Sequence, residues 1–403
     1  MEIEFVFDVV CPFAYLASTR VGALGVQVRW SPVLLGGLFR AHGAPSDPNA
    51  VMPAAKQRWT RTDLARQAAV LGVPVRFPDA HPRRTVDAMR LLVGAPEGLL
   101  PALAARLYRA YWVDGDDVAD RAVLRAIGLE FGLDADVIVD DPAVKAALRA
   151  RTDAAAARGV FGVPSTIVGD EVFWGADRLR FVRRALGLPD APAPGVPAAP
   201  SRPPATIEWF HDVASPFSYL ASTRVAKLAA DTGATLIRRP ILLGALFRDV
   251  GTPEVPLFTF STAKQAYVHA DLRRWAAWWD VPIRWPSTFP IRSLIAQRVA
   301  VAEPAATDAL YRAAWVDDRD VSTADGVRAV LDGAGFDGAA LVARTSDPAI
   351  KDRLRADTER GRDLGVVGVP TFVVDGALFW GQDRLDHVDL AARGYGFDPV
   401  SVR

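Results

Sequence analysis

The sequence has a single cysteine, Cys11, among its 403 residues. An intramolecular disulfide is therefore excluded, and so is a structural zinc site built on several thiolates. The five histidines show no spacing typical of metal ligands, so no metal site is predicted.

An excess of charge is also absent, because Lys+Arg and Asp+Glu both number 47. Nucleic-acid-binding domains normally carry a basic excess, so no nucleic-acid partner is predicted. The chain has no apolar run as long as a membrane span, and we expect no membrane association. The opening "MEIEFVFDVV" lacks the basic region and cleavage site of a signal peptide, which favours a cytoplasmic protein.

What the sequence does contain is an internal repeat. The segment "DVVCPFAYLASTRV" at 8–21 returns as "DVASPFSYLASTRV" at 212–225. Near the end of each copy, "GVFGVPSTIVGDEVFWGADRL" at 159–179 returns as "GVVGVPTFVVDGALFWGQDRL" at 365–385. A period of this length is a whole domain, so the pattern indicates a duplication.

The domain boundaries follow from a proline-rich segment between the copies. Residues 189–204 are dense in proline and predict an extended, semi-rigid linker. We therefore predict one domain at 1–188 and a second at 205–403.

Each copy has the same predicted order of elements. An apolar run predicts a buried strand, and the following Cys11-Pro12 or Ser215-Pro216 predicts a helix start, with a small N-cap residue and proline at the first helical position. A second strand and a long helical block come next. Gly-Asp or Asp-Gly turns then predict a hairpin before the last helix. The order indicates an α/β fold with a βαβ–ββα core and helices inserted in its middle.

Three motifs of the second copy carry a resemblance to a known family. These are "SPFSYLA" at 215–221, "KQAYVHADLRRW" at 264–275 and "GVPTFVVDGALFWGQDRL" at 368–385. Both copies resemble 2-hydroxychromene-2-carboxylate isomerases and the related kappa-class glutathione transferases. The resemblance implies two tandem thioredoxin-like domains, each with a DsbA-type helical insertion. Because members of this family commonly dimerise, it also allows the two copies to form an intramolecular pseudo-dimer.

The resemblance implies a glutathione-dependent isomerase acting on a small aromatic or conjugated acid. The thiolate of the tripeptide adds to the substrate, a bond that has lost double-bond character rotates, and elimination returns the glutathione. The sequence is equally compatible with another low-molecular-weight thiol in place of glutathione.

Ser215 matches the catalytic serine of that family and would donate a hydrogen bond to the glutathione thiolate. A helix N-terminus favours an anion, although a plain N-cap serine would look the same. Cys11 occupies the equivalent place, and the same helix end is expected to lower its pKa. Ala14 stands where a second thiol would be needed for an internal dithiol cycle. The alternative for Cys11 is a buried small hydrophobe.

The remaining site residues come from the same resemblance. Lys264 and Lys56 would pair with a glutathione carboxylate, which is notable because the chain has only five lysines. The dipeptides Val369–Pro370 and Val163–Pro164 match a cis-proline pair that would face the cysteinyl part of glutathione. The γ-glutamyl end would be held by the turn that follows Trp380, namely Gly381, Gln382, Asp383 and Arg384, and in the first copy by Asp177.

Arg292 is the candidate for binding the substrate carboxylate, since a guanidinium suits that group. A solvated surface arginine is equally compatible with the sequence. Two other functions remain open at this stage. One is a glutathione transferase or monothiol oxidoreductase that uses Cys11, and the other is a scaffold that binds a thiol without turnover.

Overall fold

The computed structural model describes residues 1–48, 50–190 and 203–397. We call residues 1–190 the first half and residues 203–397 the second half. Most of the predicted linker lies outside the described residues.

Each half contains one mixed four-stranded sheet. The first has the order β2-β1-β3-β4 and the second the order β6-β5-β7-β8. In both sheets the first two strands are parallel and the other neighbouring pairs are antiparallel. The strands are β1 (Glu2–Phe7), β2 (Gln27–Pro32), β3 (Ser165–Val168), β4 (Glu171–Trp174), β5 (Thr206–His211), β6 (Thr235–Pro240), β7 (Thr371–Val374) and β8 (Ala377–Trp380).

The described part of each half also forms nine α-helices. Those of the first half are α1 (Pro12–Val21), α2 (Leu35–Ala41), α3 (Ala54–Leu71), α4 (Val86–Gly94), α5 (Leu100–Arg109), α6 (Arg121–Glu130), α7 (Ala135–Asp140), α8 (Pro142–Ala157) and α9 (Leu179–Ala185). Those of the second half are α10 (Pro216–Thr232), α11 (Leu243–Val250), α12 (Thr262–Trp278), α13 (Leu294–Ala302), α14 (Thr307–Trp315), α15 (Ala324–Gly333), α16 (Gly338–Arg344), α17 (Pro348–Leu364) and α18 (Leu385–Ala392). Within the described ranges, no helix is long and apolar enough to cross a membrane.

This arrangement confirms the predicted fold class. The first strand, the helix that starts at proline, the parallel second strand and the late hairpin occur in both halves. The helices α3 to α8 and α12 to α17 are inserted between the second strand and the hairpin, as predicted. The first strands read as nearly continuous apolar runs because almost every residue of β1 and β5 is buried.

Candidate functional site

The candidate site of each half lies where the first strand runs into the first helix. In the second half, Asp212 fastens this connection: Oδ1 accepts the N–H of Ala214 at 2.9 Å and Oδ2 the N–H of Leu243 at 2.8 Å. Asp8 accepts equivalent hydrogen bonds in the first half. Burial raises the pKa of Asp212 to about 6 in spite of these donors.

A tryptophan holds the same loop from within the core. The indole N–H of Trp315 donates to the carbonyl of Val213 at 2.8 Å, and Trp112 donates to Val9 at the same distance. Each loop is thus fixed on both sides before the helix begins. This rigidity sets the position of the residue that caps the helix.

Ser215 is the N-cap of α10 and makes two hydrogen bonds. Its hydroxyl accepts the N–H of Ser218 at 3.2 Å and donates to the carbonyl of Val369 at 3.1 Å. The Val369–Pro370 bond is cis. The structure therefore brings together the predicted serine and the predicted proline dipeptide at a helix N-terminus, where backbone N–H groups and the helix dipole favour an anion.

Cys11 is the N-cap of α1 and contacts the equivalent dipeptide. Its thiol lies 3.1 Å from the carbonyl of Val163, the Val163–Pro164 bond is cis, and the side chain makes no capping hydrogen bond. Burial raises the pKa of Cys11 to about 12, although the N–H groups of Ala14 and Phe13 act in the opposite direction. The expectation of a lowered pKa is wrong, because loss of solvation outweighs the helix N-terminus at a residue only 7% exposed.

In each half, a tryptophan of the hairpin packs against the glycine that precedes the cis dipeptide. Trp380 ends β8 and lies so close to Gly368 that a Cβ there would come within 2.9 Å of the indole nitrogen. Trp174 and Gly162 stand in the same relation, also at 2.9 Å. Only glycine leaves room for the ring at this position, which explains why Gly-Val-Pro and Phe-Trp-Gly recur together in the two copies.

The turn after the tryptophan needs glycine for a different reason. Gly381 has φ 108° and Gly175 has φ 112°, a region that other residues rarely adopt. The turn leads into a short 3₁₀ segment that contains Asp383 in the second half and Asp177 in the first. These aspartates were predicted to hold the γ-glutamyl end of glutathione.

Both aspartates belong to a cluster of ion pairs that spans the two halves. We call it the interdomain cluster, and its members are Asp63, Asp177, Arg178, Asp271, Asp383 and Arg384. Arg178 bridges Asp177 at 2.7 Å and Asp383 at 2.9 Å. Arg384 bridges the same two carboxylates at 2.7 and 3.3 Å. Burial alone would raise the pKa of Asp177, but the two guanidinium groups bring it below its usual range.

Arg384, which was predicted to bind the cofactor, forms an ion pair with the other half in this structure. Its guanidinium makes a two-pronged ion pair with Asp63 on α3, at 2.7 and 3.0 Å, and the side chain is buried. Arg178 forms the same two-pronged pair with Asp271 on α12, at 2.9 Å for both bonds. These arginines therefore join the halves to each other.

One face of α3 and the matching face of α12 form the rest of this contact. The residues are spaced i, i+3, i+7 and i+10, which places them on one side of a helix. They are Lys56, Trp59, Asp63 and Arg66 in α3, and Lys264, Tyr267, Asp271 and Arg274 in α12.

The arginines of these faces reach the opposite hairpin. The guanidinium of Arg66 donates to the carbonyl of Leu378 and lies 4.1 Å from the ring of Phe379. Arg274 donates to Val172 at 3.0 Å and lies 4.2 Å from the ring of Phe173. Each contact has a counterpart with the halves exchanged, as in the isologous interface of a two-fold dimer.

The two predicted lysines point toward the same interface. Lys56 lies 5.2 Å from the ring centre of Trp380, and Lys264 lies 5.6 Å from that of Trp174 and 4.0 Å from that of Phe260. Burial lowers the pKa of both, that of Lys264 to about 8, with a further contribution from the charge of Lys56. Within the described ranges, neither lysine has a carboxylate at ion-pair distance.

Gln382 and Arg292 differ in their position. Gln382 is buried in the turn beside the interdomain cluster. Arg292 is exposed, and its backbone N–H donates to Ser322 at 3.2 Å. The adjacent Ser293 is the residue of this segment that reaches the candidate site, because its hydroxyl bonds to Asp212.

Sequence reasoning missed three kinds of residue at this site. They are the loop carboxylates Asp8 and Asp212, the indole donors Trp112 and Trp315, and the aspartates and arginines on the faces of α3 and α12. The signal was present, because all of these positions recur in both copies. What a repeat alone does not tell is whether a recurring residue serves its own domain or the neighbouring one.

Comparison with known proteins fits this geometry. The family model described as DSBA-like thioredoxin domain matches residues 2–187 and again residues 206–392. The chain belongs to this family. Two copies of its domain stand in tandem, in agreement with the two sheets.

Relatives within the family carry enzymatic names. A 2-hydroxychromene-2-carboxylate isomerase of Sphingobium xenophagum is 31% identical over 198 residues, which cover 46% of this chain and 96% of the relative. The glutathione S-transferase kappa 1 of Homo sapiens is 26% identical over 204 residues, covering 45% of this chain and 88% of the relative. A solved structure of a 2-hydroxychromene-2-carboxylate isomerase is 27% identical, covers 46% of this chain and 95% of its own, and has a TM-score of 0.43.

Proposed function

We propose that the chain is a glutathione-dependent isomerase of the 2-hydroxychromene-2-carboxylate type, with Ser215 as its catalytic residue and a small aromatic or conjugated acid as substrate. The observation that carries the proposal is the position of Ser215, at a helix N-terminus and 3.1 Å from the carbonyl of the cis Val369–Pro370 pair. The 31% identity to an isomerase over nearly all of that relative supports the same reaction.

The residues present suit a tripeptide thiol. Trp59 has a buried indole N–H with no partner among the described residues, and the half-buried Lys56 has no carboxylate beside it there. Buried donors and cations without partners are costly, so a site that presents both is suited to an anionic ligand. The ion pairs of Asp383 use Oδ2, which leaves Oδ1 as the oxygen that would meet an ammonium group.

Glutathione supplies a thiolate that adds reversibly to a conjugated carbon, which removes double-bond character from the bond that must rotate. Ser215 contributes a hydroxyl donor that can turn from the Val369 carbonyl toward a sulfur anion. The N-terminus of α10 stabilises the same negative charge. The cis dipeptide offers backbone groups to the peptide part of the ligand.

A turnover assay with purified chain tests the proposal. With 2-hydroxychromene-2-carboxylate as substrate, we expect conversion only when glutathione is present. Ser215→Ala should lower kcat by about 10²-fold, the usual effect of removing one donor to a developing anion. Cys11→Ala should keep at least half of the activity. No conversion with glutathione by the unmodified chain, or full activity of Ser215→Ala, would reject the proposal.

A transferase reaction at the same serine is the second candidate, because several relatives are named glutathione S-transferase kappa. It would give a glutathione conjugate as product in place of an isomer, and mass spectrometry separates the two outcomes. An oxidoreductase based on Cys11 is disfavoured, since burial raises the pKa of the thiol to about 12 and the reactive thiolate is then scarce near neutral pH.

A further inference from the structure

The lysine of each half lies against the hairpin of the opposite half. Lys56 belongs to the first half, yet its ammonium group is 5.2 Å from the ring centre of Trp380 in the second. Lys264 belongs to the second half and lies over Trp174 of the first. A lysine over an indole face is held there by the negative potential of the ring.

The tryptophans connect these lysines to the two candidate sites. Trp380 packs against Gly368, the next residue is Val369, and the carbonyl of Val369 accepts the Ser215 hydroxyl. A continuous set of contacts therefore leads from Lys56 to Ser215. In the same way, contacts through Trp174, Gly162 and Val163 lead from Lys264 to Cys11.

The aromatic residue that follows each lysine on the same helix face differs between the two halves, and so do its hydrogen bonds. The hydroxyl of Tyr267 accepts the backbone N–H of Trp174 at 3.0 Å and donates to the backbone carbonyl of Trp174 at 3.1 Å. The hydrogen-bonding capacity of this hydroxyl is therefore satisfied. Trp59, the matching residue of α3, packs edge-on against Trp380, with the ring centres 4.9 Å apart. Its buried indole N–H has no partner among the described residues. An unpaired donor is thus present on the side of Ser215.

The first half also reaches the predicted ammonium-binding carboxylate of the second. Arg178 bonds to Asp383 at 2.9 Å and is itself fixed by Asp271. The orientation of Asp383 therefore depends on a residue from the first half.

We propose that the Ser215 site is composite, and that Lys56 and Trp59 of the first half bind the carboxylate end of the peptide thiol that serves Ser215. Lys264 then belongs to the Cys11 site. This inference rests on the proposed function, because it names the residues that bind the thiol used there. It gives the first half a role in catalysis although its own thiol is buried.

The test compares matched lysine variants of the full chain, with turnover through Ser215 as the readout. Lys56→Met should raise the KM for glutathione about tenfold with little change in kcat, the usual cost of losing one charged hydrogen bond. Lys56→Arg should restore most of the loss, since it keeps the charge. The fold-increase in the KM for glutathione should be at least five times smaller for Lys264→Met than for Lys56→Met. Lys227→Met is the control for an exposed lysine, because Lys227 forms an ion pair with Asp231 on its own helix and with no other carboxylate in the described ranges.

The outcomes separate this inference from the function on which it rests. If Lys264→Met raises the KM as much as Lys56→Met or more, or if neither variant changes it, the composite site is wrong and the isomerase proposal stands. If the unmodified chain shows no glutathione-dependent turnover and no heat of binding with glutathione, the proposed function itself fails.

Discussion

In the first half, Phe5 and Phe7 of β1 stack in the core with ring centres 5.5 Å apart. In the second half, Trp209 and His211 hold these positions with centres 4.2 Å apart. His211 is fully buried, and its Nδ1 lies 3.1 Å from the hydroxyl of Tyr311. The same strand therefore has an apolar inner face in one copy and a polar one in the other.

The candidate residues show a parallel difference. Both N-cap side chains are buried, but the half with the apolar core has a thiol that makes no capping hydrogen bond, while the half with the polar core has a serine hydroxyl that caps the helix. Gln297 adds to the polar side, because its amide bonds to the backbone at Val213, His211 and Ile241, where the first half has Met89. A duplicated backbone can thus be kept while the chemistry beside the first helix changes.

The largest expected effect concerns the reactivity of Cys11. With a pKa of about 12, about one thiol in 10⁴ is ionised at pH 8, against roughly one in ten for a thiol with a pKa near 9. We expect alkylation by iodoacetamide at pH 8 to be at least about 10²-fold slower in the folded chain than in urea, as followed by mass spectrometry. Rates within tenfold of each other would make Cys11 a reactive thiol and remove this difference between the halves.

The second prediction tests whether the halves are equivalent at the interdomain cluster. Arg384→Met leaves the buried carboxylate of Asp63 without a cationic partner, and Arg178→Met does the same to Asp271. Each change should lower the free energy of unfolding by about 3–5 kcal/mol, as measured by urea denaturation. Arg149→Met, at an exposed position, should stay within about 0.5 kcal/mol. If only one of the two substitutions lowers the free energy of unfolding, the two halves do not contribute equally to the contact.

The third prediction uses the pH dependence of the polar core. Burial lowers the pKa of His211 to about 3, so between about pH 6.5 and pH 3 the unfolded chain binds a proton that the folded chain does not. The stability that comes from a neutral His211 is therefore lost as the pH falls through this range. Asp212 acts in the opposite sense, since its raised pKa makes the folded chain less stable as the pH rises from about 4 to 6.

Comparing His211→Phe with the unmodified chain isolates the histidine, because Asp212 is present in both. We subtract the free energy of unfolding of the unmodified chain from that of the variant. This difference should be about 3 kcal/mol more in favour of the variant at pH 4 than at pH 7. Urea denaturation at the two pH values measures this. The matching residue of the first half is already Phe7, so Phe7→Tyr serves as a control that adds no group titrating in this range. An unchanged difference between pH 4 and pH 7 would contradict a neutral, buried histidine.

The sequence allowed much of one domain to be predicted. Pro12 and Pro216 mark the start of the first helix, and the Gly-Asp and Asp-Gly turns mark the hairpin, because both signals depend on local backbone preferences. The motifs around Ser215 and Val369 identified two segments that are 154 residues apart in sequence and lie in contact in the fold. That pairing was available only through resemblance to a family, since spacing alone does not report distance.

The pKa of Cys11 could not be predicted in the same way. A helix N-terminus is visible in the sequence and lowers the pKa of a thiol, but the degree of burial is not visible and here has the larger effect. Arg384 shows a related difficulty. The family resemblance assigned it to the glutathione site, and the sequence did not show that its ion-pair partner, Asp63, comes from the other copy.

By itself the sequence determined that this protein is a duplicated domain, which elements each copy forms, and which residue caps each first helix. These features follow from local conformational preferences and from the repetition of whole segments. Only the tertiary structure decided that the copies pack face to face, that Lys56 lies over Trp380, and that Cys11 is a buried thiol. Such properties depend on which surfaces exclude water from one another, and that is set by the packing of the whole chain.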